Sequence, residues 1–175
     1  MNEHSRSFGW DEPTELADVA DPPFEVFFER EKAELYSVLC VVTRNRLEAE
    51  ELTQDAFVRL LERWDRVGKM ADPRAYLYRT AMNAFRSGYR SSTRTAKRAI
   101  RGQQADDAIA EVDATDAAMR ALAILSTRQR AAVVITDLLG FSSEEAGRIL
   151  GIRASTVRMH VSRAHAALKD AMADE

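Results

Sequence analysis

The sequence predicts an all-α protein of two small helical domains joined by a flexible linker. Apolar residues recur at helical spacing along most of the chain, and no strand-like alternating run stands out. Charged residues are abundant while Gly and Pro are scarce, which fits helices better than a turn-rich sheet. The charges also fall in blocks. Pro73 to Arg101 has no acid, Gly102 to Met119 has acids and no Lys or Arg, and Ala146 to Lys169 is basic again. Two basic blocks flanking an acidic one imply two contact surfaces for an anionic partner and a linker that repels it, although the net charge is −3.

Residues 1–22 read as a disordered acidic tail, with Phe8 and Trp10 isolated in it. No apolar core of a secretory signal occurs there, and no apolar run is long enough to span a membrane. The expectation is a cytoplasmic protein without membrane insertion, whose lone Cys40 is a reduced core thiol.

The first domain is expected over 23–92. Its first helix runs from Phe24 to about Asn45, with Phe24, Phe27, Phe28, Leu35, Val38, Leu39 and Val42 as the apolar face and Asn45 as a C-cap. A second helix runs from about Leu47 to Trp64, burying Leu52, Ala56, Leu60 and Trp64. Its other side offers Glu50, Glu51, Gln54, Asp55, Arg59 and Glu62, either to solvent or to a basic or polar partner. Asp65 to Asp72 is a loop. Asp72 caps a third helix that Pro73 starts. There Leu77, Ala81 and Ala84 or Phe85 face the core, while Tyr76, Tyr78 and Tyr89 interleave with Arg74, Arg79, Arg86 and Arg90. Basic side chains hold phosphates and aromatic rings stack on unpaired bases. The competing reading puts at least one of Tyr76 and Tyr78 in the core.

Residues 93–115 are expected to be the linker, since Ser91, Ser92 and Thr93 weaken helix continuation. The second domain is expected over 116–171. A short helix from Asp116 to Leu125 precedes a helix from Arg128 to Leu139, capped by Ser126 or Thr127 and ended by Gly140. Phe141 to Leu168 then has helix-turn-helix grammar. Ser142 and Glu145 have capping-box spacing, Ala146, Ile149 and Leu150 face inward, and Gly151 sits where the helix end needs a positive φ. Ser155 or Thr156 caps a second helix whose stripe Val157, Val161, Ala164 and Leu168 is buried. Arg158, Met159, Ser162 and Arg163 lie opposite, with His160 to one side. In a DNA-reading module such a helix enters the major groove and its arginines hold guanine edges or phosphates; the competing reading is an ordinary αα-hairpin with a solvated basic face. Residues 170–175 are expected to fray.

Over Phe24 to Leu168 the chain resembles the extracytoplasmic-function (ECF) type of RNA polymerase sigma factor, in the sigma-70 family. AEELTQDAFVRLLERW resembles region 2.2, DPRAYLYRTAMNAFRSGYR resembles regions 2.3 and 2.4, and LSTRQRAAVVITDLLGFSSEEAGRILGIRASTVRMHVSRAHAALK resembles region 4. The resemblance implies promoter recognition, melting and transcription initiation with core RNA polymerase. Region 4 would read the −35 element through Arg158, Met159, Ser162 and Arg163, with Arg153, Thr156 and His160 also at the DNA. Region 2 would take the −10 element and its opened strand through Asn83, Tyr76, Arg79, Arg86, Arg90 and the Val67–Asp72 loop. Gln54, Asp55, Arg59 and Glu62 would face the β′ clamp, and region 4 the β flap. The resemblance also implies a monomer outside its complexes and control by an anti-sigma factor. No metal, cofactor or catalytic residue is expected, because no ligand cluster, phosphate-binding Gly loop or Ser–His–acid motif occurs. The nearest rival is a helix-turn-helix regulator of the response-regulator type, which would need a receiver of alternating strands and helices in place of residues 24–90. A helical adaptor with no DNA contact of its own is a third reading.

Overall fold

The computed structural model describes residues 23–96 and 121–173. The expected tail, most of the linker and the start of the 116–125 helix lie outside the described residues. Among the described residues the secondary structure is wholly helical, as predicted.

Helix α1 (Phe24–Thr43) buries Phe27, Leu35, Val38, Leu39 and Val42. Each such side chain contributes on the order of 1.5–3 kcal/mol on burial. Asn45 does not end α1. Arg44 takes the left-handed conformation at φ 58°, and its N–H bonds the Cys40 carbonyl. Asn45 instead caps α2 (Arg46–Leu61), its side chain accepting from Glu48 N–H. The chain between the two helices is so short that the residue expected to close one opens the next. Cys40 is half-buried rather than sealed in the core.

Helix α2 stops at Leu61, short of Trp64. Trp64 starts a single turn, α3 (Trp64–Val67), inside the expected loop. The indole ring packs on Phe24 and Phe27 at 5.4 and 5.0 Å between centroids. Aromatic pairs of this kind add about 0.5–1.5 kcal/mol each beyond their buried area. Asp72 caps α4 (Pro73–Ala96) through Ala75 N–H at 2.8 Å. Helix α4 runs through Ser91–Thr93, where its weakening was expected, and buries Leu77, Tyr78, Ala81 and Met82.

Residues 121–123 are helical and lead into α5 (Thr127–Val133). Ser126 caps α5 in a reciprocal capping box with Gln129. The helix predicted as continuous to Leu139 widens over Val134–Leu138 into a π turn, where Leu139 N–H reaches the Val134 carbonyl at 3.0 Å. One additional residue in that turn brings Leu139 inward and leaves Leu138 67% exposed.

Helix α6 (Ser143–Leu150) starts with the expected capping box. Ser142 N–H and hydroxyl both donate to Glu145, and Ser142 Oγ accepts from Glu145 N–H. Gly151 ends it at φ 64°. Helix α7 (Ala154–Ala173) starts one residue ahead of the expected caps, with Arg153 carbonyl accepting from Thr156 and Val157. Ser155 and Thr156 therefore lie in its first turn, and the helix persists past Asp170. Val157 and Ala164 are fully buried, while Val161 and Leu168 are half-buried.

The N-terminal and C-terminal helices share one hydrophobic cluster, in which α4 packs against α6 and α1 against α5. At the seam Tyr78 meets Phe141 edge-on at 6.0 Å. Arg74 lies over both rings, at 5.4 and 5.3 Å, and holds the buried Glu31 at 3.2 Å and Glu34 at 2.7 Å.

Candidate nucleic-acid and polymerase interfaces

The helix-turn-helix presents its recognition face on α7. Arg153, Arg158, Met159, Ser162 and Arg163 are exposed, and Thr156 and His160 half-buried. A close approach makes this geometry. A Cβ on Gly147 would stand 2.9 Å from the Ile152 carbonyl oxygen, so only glycine lets the turn fold back on α6. Arg158 is ion-paired with Glu144 at the start of α6, 3.1 Å away. His165 Nε2 lies 2.6 Å from Asp137, joining α7 to the π turn. Burial lowers the pKa of His160, and Arg128 and Arg163 reinforce the shift. The shift favours the neutral imidazole.

On α4 the predicted residues separate. Arg79 is exposed. Tyr76 is half-buried, and its hydroxyl accepts from Arg63 Nη1 at 3.2 Å; this bond lowers the phenol's pKa and raises that of Arg63. Tyr78 is the tyrosine that belongs to the core, where burial, followed by the Glu34 charge, pushes its pKa well up. Asn83 and Arg86 are half-buried neighbours, with Arg86 Nη2 donating to Asn83 Oδ1 at 2.9 Å. Val67 is fully buried, so the loop offers Lys69, Met70, Ala71 and Asp72 to solvent while Val67 anchors it from beneath. The side chain of Arg90 lies outside the described residues.

The outer side of α2 carries Gln54, Arg59 and Glu62 in the open and Asp55 half-buried, with Asp55 and Arg59 paired at 2.8 Å. The sequence reading missed the apolar part of this face. Leu47, Val58 and Leu61 are exposed at spacings that align them with Gln54. The available signal was a second apolar stripe on a helix whose first stripe already fills the core. Exposed apolar patches rimmed by polar residues are a general mark of interaction sites.

Against known families, residues 27–95 match Sigma-70 region 2 and residues 115–168 match Sigma-70, region 4. An RNA polymerase sigma-E factor of Streptomyces avermitilis is 30% identical over 129 residues, covering 71% of this chain and 70% of that protein. The chain belongs to the sigma-70 family. Within it the ECF branch is the one matched: the ECF RNA polymerase sigma factor SigM of Mycobacterium tuberculosis is 28% identical over 146 residues, covering 83% of this sigma factor and 74% of SigM. The fold agrees. The sigma factor RpoE, solved with the anti-sigma factor NepR from Bartonella quintana, superposes with a TM-score of 0.70 at 24% identity, over 84% of this chain and 94% of that one. CnrH, solved with the cytosolic domain of CnrY, gives 0.59 at 22% identity, over 87% and 88%.

This sigma factor thus directs core RNA polymerase to promoter DNA in transcription initiation. The response-regulator reading is set aside, because a sigma region 2 occupies the place of a receiver and no strand occurs among the described residues. Among those residues no helix is long and apolar enough to cross a membrane.

Proposed function

We propose that the two modules divide promoter recognition between them. The exposed face of α7 reads the −35 duplex, with Arg158, Met159, Ser162 and Arg163 at base edges and Arg153, Thr156 and His160 at phosphates. Asn83, with Tyr76, Arg79, Arg86 and Arg90, takes the opened −10 strand, and the outer face of α2 binds the β′ clamp. The domain limits 23–92 and 116–171 follow from this division. The observation that carries it is the α7 face itself, where two arginines, Met159 and Ser162 stand exposed opposite a buried stripe, on a helix held by a glycine-dependent turn. Duplex reading needs that arrangement of a rigid helix with long side chains at the surface.

The protein works in the cytoplasm beside polymerase, has no catalytic centre of its own, and is held inactive by an anti-sigma factor. RpoE, a fold neighbour, is solved with such a partner, which supports the last point. Run-off transcription with core polymerase on a genomic promoter library tests the whole reading. Promoter-dependent initiation with the wild type, and altered promoter choice with Arg158→Ala and Arg163→Ala, is expected. Unchanged choice in both variants would remove α7 from base recognition.

A further inference from the structure

Tyr76 is held by two arginines at the α3 turn, Arg63 just ahead of it and Arg66 within it. The phenol oxygen accepts from Arg63 Nη1 at 3.2 Å, with Arg66 at the same oxygen. Both arginines are exposed, and neither is ion-paired with an acid among the described residues, whereas Arg59 pairs with Asp55 and Arg74 with Glu31 and Glu34. Lys69 adds a third exposed cation on the following loop. A guanidinium has five N–H donors, so most of theirs stay available, and a charged oxygen accepts a stronger bond than a phenol does. The chain enters beside this surface. Phe24, the first residue of α1, packs edge-on against Trp64 at 5.4 Å, and Trp64 adjoins Arg63. Asp21 stands three residues before Phe24, a length that spans at most about 10 Å. From Asp11 to Asp21 the sequence has Asp11, Glu12, Glu15, Asp18 and Asp21 and no Lys or Arg, with Trp10 immediately before them. The acids of Gly102 to Met119 are tethered further off, since Ala96 ends α4 about 30 Å along the helix from Tyr76.

We propose that the acidic segment Asp11–Asp21 docks on the surface formed by Arg63, Arg66 and Tyr76, its carboxylates on the guanidiniums and Trp10 against the phenol ring. An indole next to a carboxylate has the chemistry of a base next to its phosphate, which is what an opened strand brings to arginine and tyrosine. The docked segment therefore keeps a strand off this surface until promoter DNA displaces it. That competition rests on the reading of Tyr76 at the −10 strand; the docking does not. Each contact is exposed and weak alone, and the short tether supplies the local concentration that makes them count. Salt screens such contacts, so the segment lifts as ionic strength rises.

A nitroxide at Thr14→Cys, in the full chain with Cys40→Ala, should strongly broaden the backbone amide resonances of Arg63 to Lys69. Neutralising the segment with Asp11→Asn, Glu12→Gln, Glu15→Gln, Asp18→Asn and Asp21→Asn should relieve that broadening. So should Arg63→Gln with Arg66→Gln, two exposed side chains that the core does not need. Sharp amides in the parent, or broadening that survives in both variants, overturns the proposal. Broadening from a nitroxide at Ala108→Cys and none from Thr14→Cys gives the surface to the acids of Gly102 to Met119. Broadening only between labelled and unlabelled copies in a mixture gives it to a second copy, and either result overturns the proposal. Anisotropy with a randomised pool of short single-stranded DNA then separates docking from competition. The neutralised chain should bind about tenfold more tightly, the factor for a competent fraction rising from about a tenth to nearly all. The gain should vanish in the Arg63→Gln, Arg66→Gln background; a gain that persists there belongs to net charge and overturns the competition. Docking without any gain supports the contact and removes the −10 role from Tyr76.

Discussion

Arg158 and Glu144 face each other across the helix-turn-helix at 3.1 Å, an arginine on the recognition helix held by an acid at the start of the preceding helix. Both side chains are more than half exposed, so the pair contributes no more than about 1 kcal/mol to stability. If α7 reads duplex DNA as proposed, the pair's weight falls on DNA binding, because Glu144 then competes with the promoter for Arg158. Glu144→Gln should strengthen binding to a −35 duplex and steepen its salt dependence, as read by fluorescence anisotropy at several salt concentrations. Arg158→Ala should weaken it by about 1–3 kcal/mol at a base-contacting position. A Glu144→Gln protein that binds no better at any salt concentration would remove the competition.

Gly147→Ala should destabilise the C-terminal module by about 1–3 kcal/mol, because the added methyl meets backbone on the facing turn and cannot rotate away. Urea denaturation followed by circular dichroism measures this. Duplex binding should fall in parallel, since the turn sets the angle of α7.

Ser142→Ala should cost about 0.5–2 kcal/mol through loss of the N-cap bond to Glu145 N–H. The same capping box has a pH signature. Hydrogen bonds from Ser142 lower the Glu145 pKa in the folded chain, so the stabilisation is complete above the unfolded carboxylate range and is lost as pH falls through the folded value. The Ser142→Ala protein should show a flatter stability profile on the acid side than the wild type.

His160 has the same direction for a different reason. Its folded pKa lies below the unfolded one, so below about pH 6.5 the unfolded chain holds more protons and stability declines with acidification. His160→Gln should remove that part of the decline in thermal melts between neutral and mildly acidic pH. An unchanged slope would show that the imidazole titrates alike in both states.

Leu61→Asp should leave the folded helices intact, because Leu61 is 54% exposed. It should weaken binding to core polymerase at least about tenfold, the loss expected when an apolar anchor of a docking face becomes a charge. Co-purification with core polymerase and a melting curve separate the two effects. Weak binding with a lowered melting point would point to misfolding instead.

Local chemistry was the legible part of the fold. The Ser142–Glu145 box, Asp72 before Pro73 and Gly151 after Leu150 are each set by neighbours within a few residues, and spacing exposes them. Asn45 was legible as a cap and misread as to which helix it serves, because Arg44 carries the left-handed turn usually given to Gly or Asn. The π turn was not legible, since Val134–Leu138 has ordinary helical composition and its widening answers the packing of Leu139 and Phe141. Periodicity put the α7 face in the open. It could not separate Tyr76 from Tyr78, one turn-position apart in exposure, or show that Val67 points inward. Tertiary proximity decides these.

The π turn also fixes where the C-terminal module can absorb a change in chain length. Each residue of an α-helix turns the chain by about 100° and advances it about 1.5 Å, so a deletion elsewhere in α5, α6 or α7 would swing every later side chain to a different face. A deletion within Val134–Leu138 would let the wide turn relax to an ordinary one and leave Phe141 and α6 in their present register. Length variation among related chains should therefore concentrate there, the one point among the described residues of this module where losing a residue restores a regular helix rather than breaking one.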